Sequence, residues 1–573
     1  MADFTGIDMT NAAIGLIANG RSANIADATQ ELTSWPISIH PLPTGLSRGT
    51  PEPVISIAHR SITGAHQELF GGRLFERVIV TPRVKALGFV LTQTQFPIEV
   101  WNTFRELPQI LTEIQTNGSG GVTVTNLFSL PTLFGAQNSR VYQAITPAQG
   151  PAQINEDIVF VFASGIGGTD SLITGSRITV FSVAPDWSQG MKERISYLTD
   201  VLKAYSDNEQ RRGLRQIPRR SLSYRALTLN ARDASGMESL IWGWQNQPYG
   251  VPWWPDVTSL AVSVSAGASS IQVQTRADRL FAVGGIICIW QSEFNFEALT
   301  IQSIAGNVIT VSSPTQFAWT AGPGTLVLPV FLARLSDQVK VNRLFSSADS
   351  MDLEFIGEAQ QPAPAPSISL AEYLGFDVLE VMPNWSRDLS RTYKRSLVTL
   401  DPKIGPIQVD DKGGSAVVEQ SFPWFLQNHP SVTTLRAFIL KRFGQLVPFW
   451  TPTWDQDLVL SADLGATDPA MSIQSVYYTR FFFPIKSRRY IAFIPQNGGA
   501  PVYRKITGSV DNGNGTETLT LDSPTGVPFA KSSTMISFLT LSRLASDDAE
   551  IDWMTNDVAE AELTFQEVPR EVP

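Results

Sequence analysis

Two glutamates in the stretch EFNFE, Glu293 and Glu297, could in principle serve as the paired carboxylates of a glycosidase. If the stretch is a strand, both side chains lie on one face together with Asn295. A row of polar side chains on one face is also typical of a solvated strand. We therefore expect a solvated face here, and a cell-envelope hydrolase that depends on Glu293 is the alternative.

Motifs for metal binding and nucleophilic catalysis are missing from the sequence. The four histidines, His40, His59, His66 and His429, form no H-x-x-x-H or H-E-x-x-H pattern, and no G-x-S-x-G, Walker or dinucleotide motif occurs. The stretch DNGNGTE at 511–517 has glycines where a calcium loop needs ligands, so it predicts a hairpin tip. We predict no catalytic, cofactor-binding or metal-binding residues, and no enzyme.

The single cysteine, Cys288, lies in the apolar run FAVGGIICIW. One cysteine cannot form a disulfide within the chain, and for the same reason we expect no metal site built on cysteines. A small buried residue is the expected role of Cys288.

Five arginines are clustered in the stretch RRGLRQIPRR. They are Arg211, Arg212, Arg215, Arg219 and Arg220. A nucleic-acid patch is one interpretation, but the chain has a net charge of −10 and a pI near 5.1. Guanidinium groups also pair well with carboxylates. We expect pairing within the chain or at a subunit interface, and no nucleic-acid binding.

Two aromatic stretches bounded by proline, VPWWP at 251–255 and VPFWTPTW at 447–454, could stack on sugars or anchor a core. A glycan-binding protein that uses Trp254 and Trp450 is therefore an alternative function. Because the stretches recur at corresponding places in the chain, we expect anchors of a core or an interface.

The recurrence extends over four landmarks in the same order. VAPDWS (183–188) matches VMPNWS (381–386), VPWW matches VPFW, ARLSD (333–337) matches SRLASD (542–547), and MDLEF (351–355) matches AELTF (561–565). The offsets lie between 196 and 210 residues, and loop insertions explain the drift. The sequence therefore predicts a duplicated domain.

Hydrophobic periodicity predicts the elements that position these residues. Short Val-, Ile- and Phe-rich segments between 77 and 183 predict an immunoglobulin-like β-sandwich. Helices are predicted at 188–202, 234–247 and 431–446. Closely spaced short strands after each aromatic stretch predict a small barrel-like module.

We therefore predict a mainly β, multidomain fold with a sandwich and two tandem α+β repeats. Predicted boundaries are an N-terminal arm at 1–75, the sandwich at 76–182, the first repeat at 183–360 with its module at 260–332, a Pro-rich linker at 361–378, and the second repeat at 379–573 with its module at 458–541. No signal peptide or membrane-spanning run is evident, so we expect synthesis in a cytoplasm and no membrane insertion.

Three stretches resemble structural proteins of bacteriophage tails. They are LTDVLKAYSDNEQRRGLRQIPRR (198–220), with its E-Q-R element, LVPFWTPTWDQD (446–457), and IEVWNTFRELP (98–108), which is similar to immunoglobulin-like domains of such proteins. The second repeat has KGGSAVVEQSFPW (412–424) and lacks the E-Q-R element. The resemblance spans about 80–570.

This resemblance implies a virion structural protein at the distal end of a tail, in the tail tip or baseplate. It implies a homo-oligomeric ring, trimeric or hexameric, that joins the tail tube to the distal hub and host-recognition parts. Partners would be other copies of this chain and other tail or baseplate proteins. A ring of three chains with two related domains each would have pseudo-six-fold symmetry.

Overall fold

The fold is mainly β, as the sequence predicts, with 50% strand and 9% helix. The computed structural model describes residues 75–573 except 119, 126–127, 149, 152, 168, 205, 359–368 and 386. The predicted arm up to residue 74 and the Pro-rich stretch at 361–368 lie outside the described residues. The chain forms two compact units, the first ending at Arg177 and the second spanning Ile178–Pro573.

The first unit is a β-sandwich of two sheets. Its strands are β1 (Val78–Thr81), β2 (Val84–Val90), β3 (Thr94–Asn102), β4 (Gln109–Gly118), β5 (Thr123–Thr125), β6 (Thr132–Phe134), β7 (Ser139–Thr146), β8 (Gln153–Phe162) and β9 (Asp170–Arg177). One sheet has the order β1-β3-β7-β5 and the other β2-β9-β8-β4-β6. The order β1-β3-β7-β5 corresponds to strands ABED of the immunoglobulin arrangement and β9-β8-β4 to strands GFC, with β2 and β6 added at the two edges of the second sheet. Alternating residues of β8, including Ile158 and Phe160, point into the shared core.

The second unit begins with the first repeat. Its strands are β10 (Thr179–Val180), β11 (Met191–Ser196), β12 (Thr199–Lys203), β13 (Glu209–Gly213), β14 (Arg219–Thr228), β15 (Tyr249–Pro252), β16 (Thr258–Ser259), β17 (Ser270–Gln272), β18 (Ile286–Ser292), β19 (Asn295–Ala305), β20 (Val308–Val311), β21 (Leu326–Leu335), β22 (Lys340–Phe345) and β23 (Ala348–Gly357). Helix α1 (Ala231–Trp244) follows β14, and short 3-10 turns occur at Trp187–Gln189 and Trp254–Asp256.

The second repeat follows in the same unit. Its strands are β24 (Ala371–Tyr373), β25 (Phe376–Val378), β26 (Arg391–Lys394), β27 (Leu397–Leu400), β28 (Gln408–Asp411), β29 (Val417–Leu426), β30 (Phe449–Pro452), β31 (Ala470–Gln474), β32 (Tyr490–Pro495), β33 (Val502–Asp511), β34 (Thr516–Leu521), β35 (Thr534–Leu544), β36 (Asp548–Trp553) and β37 (Ala559–Glu567). Its helices are α2 (His429–Arg442) and the short α3 (Tyr478–Phe481), with a 3-10 turn at Lys486–Arg488.

The two repeats share one plan around their principal helices. In each, a 10-residue strand leads into a 14-residue helix, β14 into α1 and β29 into α2. Asn230 and Asn428 cap the helices, their side chains accepting from the backbone N–H three residues on. The predicted helices at 234–247 and 431–446 are confirmed, and both begin earlier than predicted because of these asparagine caps.

The match between VPWW and VPFW is wrong by four residues. Pro252 pairs with Val330, and the structurally equivalent residue Pro452 pairs with Leu539, so Pro252 corresponds to Pro452 rather than to Pro448. Two extra residues lie between the helix and the strand in the second repeat. Matching the motifs by sequence alone therefore pairs residues that are not structurally equivalent. Strand register depends on backbone pairing with a distant strand, which the local motif does not contain.

The helix predicted at 188–202 is wrong. The segment forms a 3-10 turn, strand β11 and strand β12. Met191, Glu193 and Ile195 of β11 are buried and alternate with exposed side chains. This alternation has a period of two, which a helical interpretation of the same apolar residues missed.

Each module is barrel-like but does not close into a continuous ladder. In the first repeat the strand order is β16-β21-β18-β19-β20-β17, and its two ends meet only at an isolated bridge between Leu260 and Val273. In the second repeat β31-β34-β33-β32-β35 wraps a separate apolar core, with an isolated bridge between Leu460 and Ile473.

Candidate functional site

The two repeats are joined by an antiparallel pairing of β11 with β36. Met191 lies opposite Trp553 and Ser196 opposite Asp548, six residue pairs in register. On its other side β11 pairs with β14, and β36 pairs with β37. One continuous sheet therefore runs from the first repeat into the second.

A buried ionic cluster lies beneath this pairing. Arg436 of α2 contacts Glu193 of β11 at 2.7 Å (Nη2 to Oε2) and Asp256 at 3.3 Å (Nη1 to Oδ1). His429 Nε2 lies 2.9 Å from Asp256 Oδ1, and Trp553 Nε1 donates to Glu193 Oε2 at 3.1 Å. All five side chains are almost completely buried. The acids come from the first repeat and the arginine and histidine from the second, so the cluster holds the repeats in one relative position.

The charges of this cluster stabilise one another. Burial alone would raise the pKa of Asp256, but Arg436 and His429 outweigh it and hold the pKa below its ordinary value of 3.8. Burial acts against the charge on Arg436, yet Asp256 and Glu193 raise its pKa above the ordinary value. Asp256 and Arg436 therefore keep their charges over the whole physiological pH range.

Strands β12 and β13 form a two-stranded arm of the first repeat that grips the second repeat. Glu209 makes a bidentate ion pair with Arg543, with atom separations of 2.7 and 3.1 Å. Both side chains are buried, and Gln566 also donates to Glu209 at 3.1 Å. At the base of the arm, Thr199 N donates to Asp547 Oδ2 at 2.6 Å. The arm is thus a second attachment beside the strand pairing.

The arginine cluster is partly explained by this arm. Arg211 pairs with Glu571 of the second repeat, which confirms pairing within the chain at that position. Arg215 donates to the backbone oxygen of Ser196, and Arg220 lies over the ring of Phe331. Arg212 and Arg219 are exposed. The E-Q-R element therefore works as an anchor, because Glu209 and Arg211 both bind the second repeat.

The tryptophans of the aromatic stretches are core residues, as predicted. Trp253 and Trp254 are each 3% exposed, and Trp450 is fully buried. Trp254 packs edge-on against Trp290, and Trp450 donates from Nε1 to the backbone oxygen of Tyr373. A ring in such a position offers no face to a sugar, so the glycan-binding alternative loses the two residues on which it relied.

The solvated face predicted for Glu293 and Glu297 is wrong. Glu293 lies in the turn between β18 and β19, whereas Glu297 is buried within β19. Glu297 accepts from Trp319 Nε1 at 2.9 Å and from Gln316 N at 2.6 Å. Both of its oxygens are occupied by structural hydrogen bonds, so the arrangement gives no support to a paired-carboxylate mechanism.

The remaining sequence candidates have structural roles. Cys288 is buried as expected. Its burial and, to a smaller extent, the nearby Glu297 raise the pKa of its thiol. The DNGNGTE stretch is the hairpin tip between β33 and β34, as predicted. His429 belongs to the ionic cluster, and His40, His59 and His66 lie outside the described residues.

Among the described residues, no group of three or more His, Cys, Asp or Glu side chains could hold a metal ion. Within the same residues, no helix is both long and apolar enough to cross a bilayer.

Sequence reasoning missed the residues that join the repeats. Glu193, Asp256 and Arg436 belong to no motif, and they meet only because segments 180 and 243 residues away from Arg436 fold against α2. One signal was present: Arg436 and His429 lie on the helix among apolar residues at core spacing, and a charge in such a place needs a partner.

Comparison with known proteins adds little. No family model and no curated protein matches the chain. Among solved structures the chain resembles the secreted serine protease VesC from Vibrio cholerae, with a TM-score of 0.14 and 9% identity over 46% of this chain and 48% of that one. The match thus spans about half of the protease, and a likeness of this size carries no conclusion about fold or activity.

Proposed function

We propose that this protein is a structural component of a bacteriophage tail tip or baseplate and forms a homo-oligomeric ring there. One observation carries the ring: the pairing that joins the two repeats leaves an equivalent pair of strand edges unused. Among the described residues, β26 pairs only with β29, and β22 pairs only with β23. By position in the repeats, β26 corresponds to β11 and β22 to β36.

The two unused edges are complementary. If β26 of one copy pairs with β22 of the next, the β11–β36 junction is reproduced between copies. Thr392 then lies opposite Lys340, as Arg194 lies opposite Glu550 within the chain. An exposed strand edge is a template for pairing with another chain. Because the two edges differ, the contact is head-to-tail, and a head-to-tail contact whose rotation closes makes a ring.

The duplication suggests the ring size. Three copies contribute six repeats, so a trimeric ring would present pseudo-six-fold symmetry to a six-fold tail tube. A hexameric ring is the other solution. Its place at the distal end of a virion, between the tube and the hub, is supported by the resemblance of 198–220 and 446–457 to tail proteins. The role is structural rather than catalytic.

Paired cysteines test the ring directly. The double variant Thr392→Cys/Lys340→Cys should form covalent multimers under mild oxidation, because residues opposite each other in an antiparallel pair have Cα atoms about 4.5–5.5 Å apart. The matched control is Arg194→Cys/Glu550→Cys, which should cross-link within one chain and run as a monomer. Only monomers from both variants, with native mass spectrometry of the unmodified chain also giving a monomer, would contradict the ring.

The place in the virion needs a separate test. Immunogold electron microscopy with an antibody to this chain, on intact particles from the source, should put gold at one end of a tail. Gold absent from every particle would contradict the tail assignment even if the purified protein forms rings.

A further inference from the structure

The second repeat carries an arm that is equivalent to the β12–β13 arm, but among the described residues its two strands pair only with each other, and Ser396 at its base donates to Asp207 of the first arm at 2.9 Å. This arm is the hairpin of β27 and β28. We propose that the β27–β28 arm of each copy lies across α1 of the next copy, covering Trp242, and that Arg391 pairs there with Glu238. The inference rests on the proposed ring and names the contact that would hold it.

The first observation is the different burial of the two equivalent helices. Helix α2 has eight buried residues, because its own repeat covers one side and the first repeat covers the other. Helix α1 has only two, Ala234 and Met237. Trp242 of α1 is 89% exposed, whereas its equivalent, Leu440, is partly buried and its backbone oxygen accepts from Tyr197 at the base of the first arm. The side of α1 that corresponds to the covered side of α2 is therefore open.

The second observation is a reversal of charge at equivalent positions. Arg436 of α2 and Glu193 of β11 form the buried pair within the chain. Glu238 of α1 is equivalent to Arg436, and Arg391 of β26 is equivalent to Glu193. The two residues of each equivalent pair are 198 positions apart in the sequence. Pairing β26 with β22 of the next copy would bring these two opposite charges together as the intrachain pairing brings Glu193 to Arg436.

The surroundings of the two positions are reversed as well. Arg436 lies between two carboxylates, those of Glu193 and Asp256. Glu238 already contacts the guanidinium of Arg343 at 2.6 Å, and Arg343 occupies the position equivalent to Trp553. Contact with Arg391 of the neighbouring copy would place Glu238 between two guanidinium groups. Arg391 contacts Asp455 in the isolated chain, so the contact would form a network of alternating charge.

The third observation is the composition of the second arm. Ile407 and Val409 stand where the first arm has Glu209 and Arg211, and both are more than half exposed. The other exposed apolar residues of the arm are Leu397, Val398, Leu400 and Ile404, the last of them 96% exposed. Exposed apolar surface on this scale marks a site of protein contact. Trp242 of the first repeat, which stands where Leu440 meets the base of the first arm, offers an exposed apolar surface to this arm.

A second copy is the occupant that these observations select. The first arm already shows how an arm of this shape packs, because it lies along the end of α2, with Tyr197 against the ring of Phe443. The open end of α1 is the equivalent place in the first repeat. A chain whose first repeat offers the open face and whose second repeat offers the unpartnered arm is complementary to its own copies.

Charge reversal in the full-length protein tests the contact. Native mass spectrometry and light scattering should show that Glu238→Arg and Arg391→Glu each weaken association between copies by about tenfold or more, and that the double variant Glu238→Arg/Arg391→Glu recovers most of the loss. Trp242→Ala should weaken association without lowering the urea midpoint of the dissociated chain, because the side chain is exposed there. The control Glu562→Arg makes the same charge change at an exposed position of β37, a strand already paired on both sides within the chain, and should leave association unchanged.

The outcomes separate this contact from the proposed ring. Multimers of the unmodified chain that are unaffected by either reversal and by Trp242→Ala would overturn the contact and leave the ring standing. A chain that stays monomeric at all concentrations would overturn both. If each single reversal weakens association between copies and the double variant does not restore it, the direct pairing of Arg391 with Glu238 is wrong.

Discussion

The two repeats have the same plan but differ in what surrounds their principal helices. Helix α2 is enclosed on two sides and contributes Arg436 and His429 to a buried cluster, whereas α1 faces the exterior with Trp242 and Glu238. The cause is the order of the repeats along the chain. The first repeat contributes its β11 strand and its β12–β13 arm to the second, whereas within the described residues no equivalent repeat receives β26 and the β27–β28 arm. A duplicated domain thus uses its interface once internally and retains a second, unfilled version of it.

The comparison is sharpest at the equivalent positions Arg436 and Glu238. Arg436→Ala should lower the free energy of unfolding by about 3–5 kcal/mol, because two buried carboxylates lose the guanidinium that balances their charge. Glu238→Ala should cost less than about 1 kcal/mol in the dissociated chain, because its ion pair with Arg343 is largely exposed. Urea unfolding followed by circular dichroism measures both. Similar losses at the two positions would contradict the distinction between a filled and an unfilled interface.

The arms provide a second, smaller contrast. Glu209→Gln should lower the free energy of unfolding by about 1.5–3 kcal/mol, because a buried hydrogen-bonded pair with Arg543 loses its charge. Ile407→Gln changes the equivalent residue of the second arm, which is exposed, and should cost less than about 0.5 kcal/mol. Differential scanning calorimetry of dissociated chains compares them. A cost at Ile407 as large as that at Glu209 would mean that the second arm is already packed within its own chain.

Acid should weaken the junction between the repeats. The folded pKa of Asp256 lies below its ordinary value of 3.8, so its stabilising contribution is complete above that value and is lost as the pH falls through the lower folded pKa. The free energy of unfolding should therefore decline below about pH 4. In the Asp256→Asn variant this free energy should decline less steeply with falling pH. Denaturation curves between pH 6 and 3 measure the slopes. Equal slopes in the two proteins would remove Asp256 from the acid response.

The smallest effect concerns a feature that the repeats share. Asn230→Ala and Asn428→Ala each remove a helix cap and should each cost about 1 kcal/mol, while the serine variants should be nearly neutral. Thermal melting monitored by circular dichroism is sensitive enough for this comparison. A markedly larger cost at Asn428 would show that enclosure of α2 adds to the role of the cap.

Much of the fold was predictable because the signals were local. The short strands of the sandwich, the strands of the two modules and the helices α1 and α2 all follow from the spacing of apolar residues over fewer than 20 positions. The burial of Trp254 and Trp450 was anticipated because each aromatic stretch follows a principal helix, although the two tryptophans are not equivalent residues. The segment 188–202 was predicted wrongly because its pattern is short enough to fit two periods, and only its neighbours β14 and β36 select the strand.

Glu297 shows why the candidate site was harder to predict than the elements. Its sequence neighbours indicate an exposed face, but Trp319 and Gln316 fold over it and occupy both of its oxygens. The same holds for Glu193. Its sequence neighbours indicate an ordinary strand residue, but Arg436 and Trp553 of the second repeat both donate to its carboxylate. A polar residue's role depends on which distant groups satisfy it, and a single sequence does not contain that information.

The sequence by itself determined most of the strands, the two principal helices and the duplication, because each of these is visible in short local patterns. Tertiary structure alone decided the four-residue shift between VPWW and VPFW, the pairing of β11 with β36 and the cluster around Arg436. These depend on backbone hydrogen bonds and buried charges from segments hundreds of residues apart. Such contacts are selected by the free energy of the assembled core, and no local pattern records them.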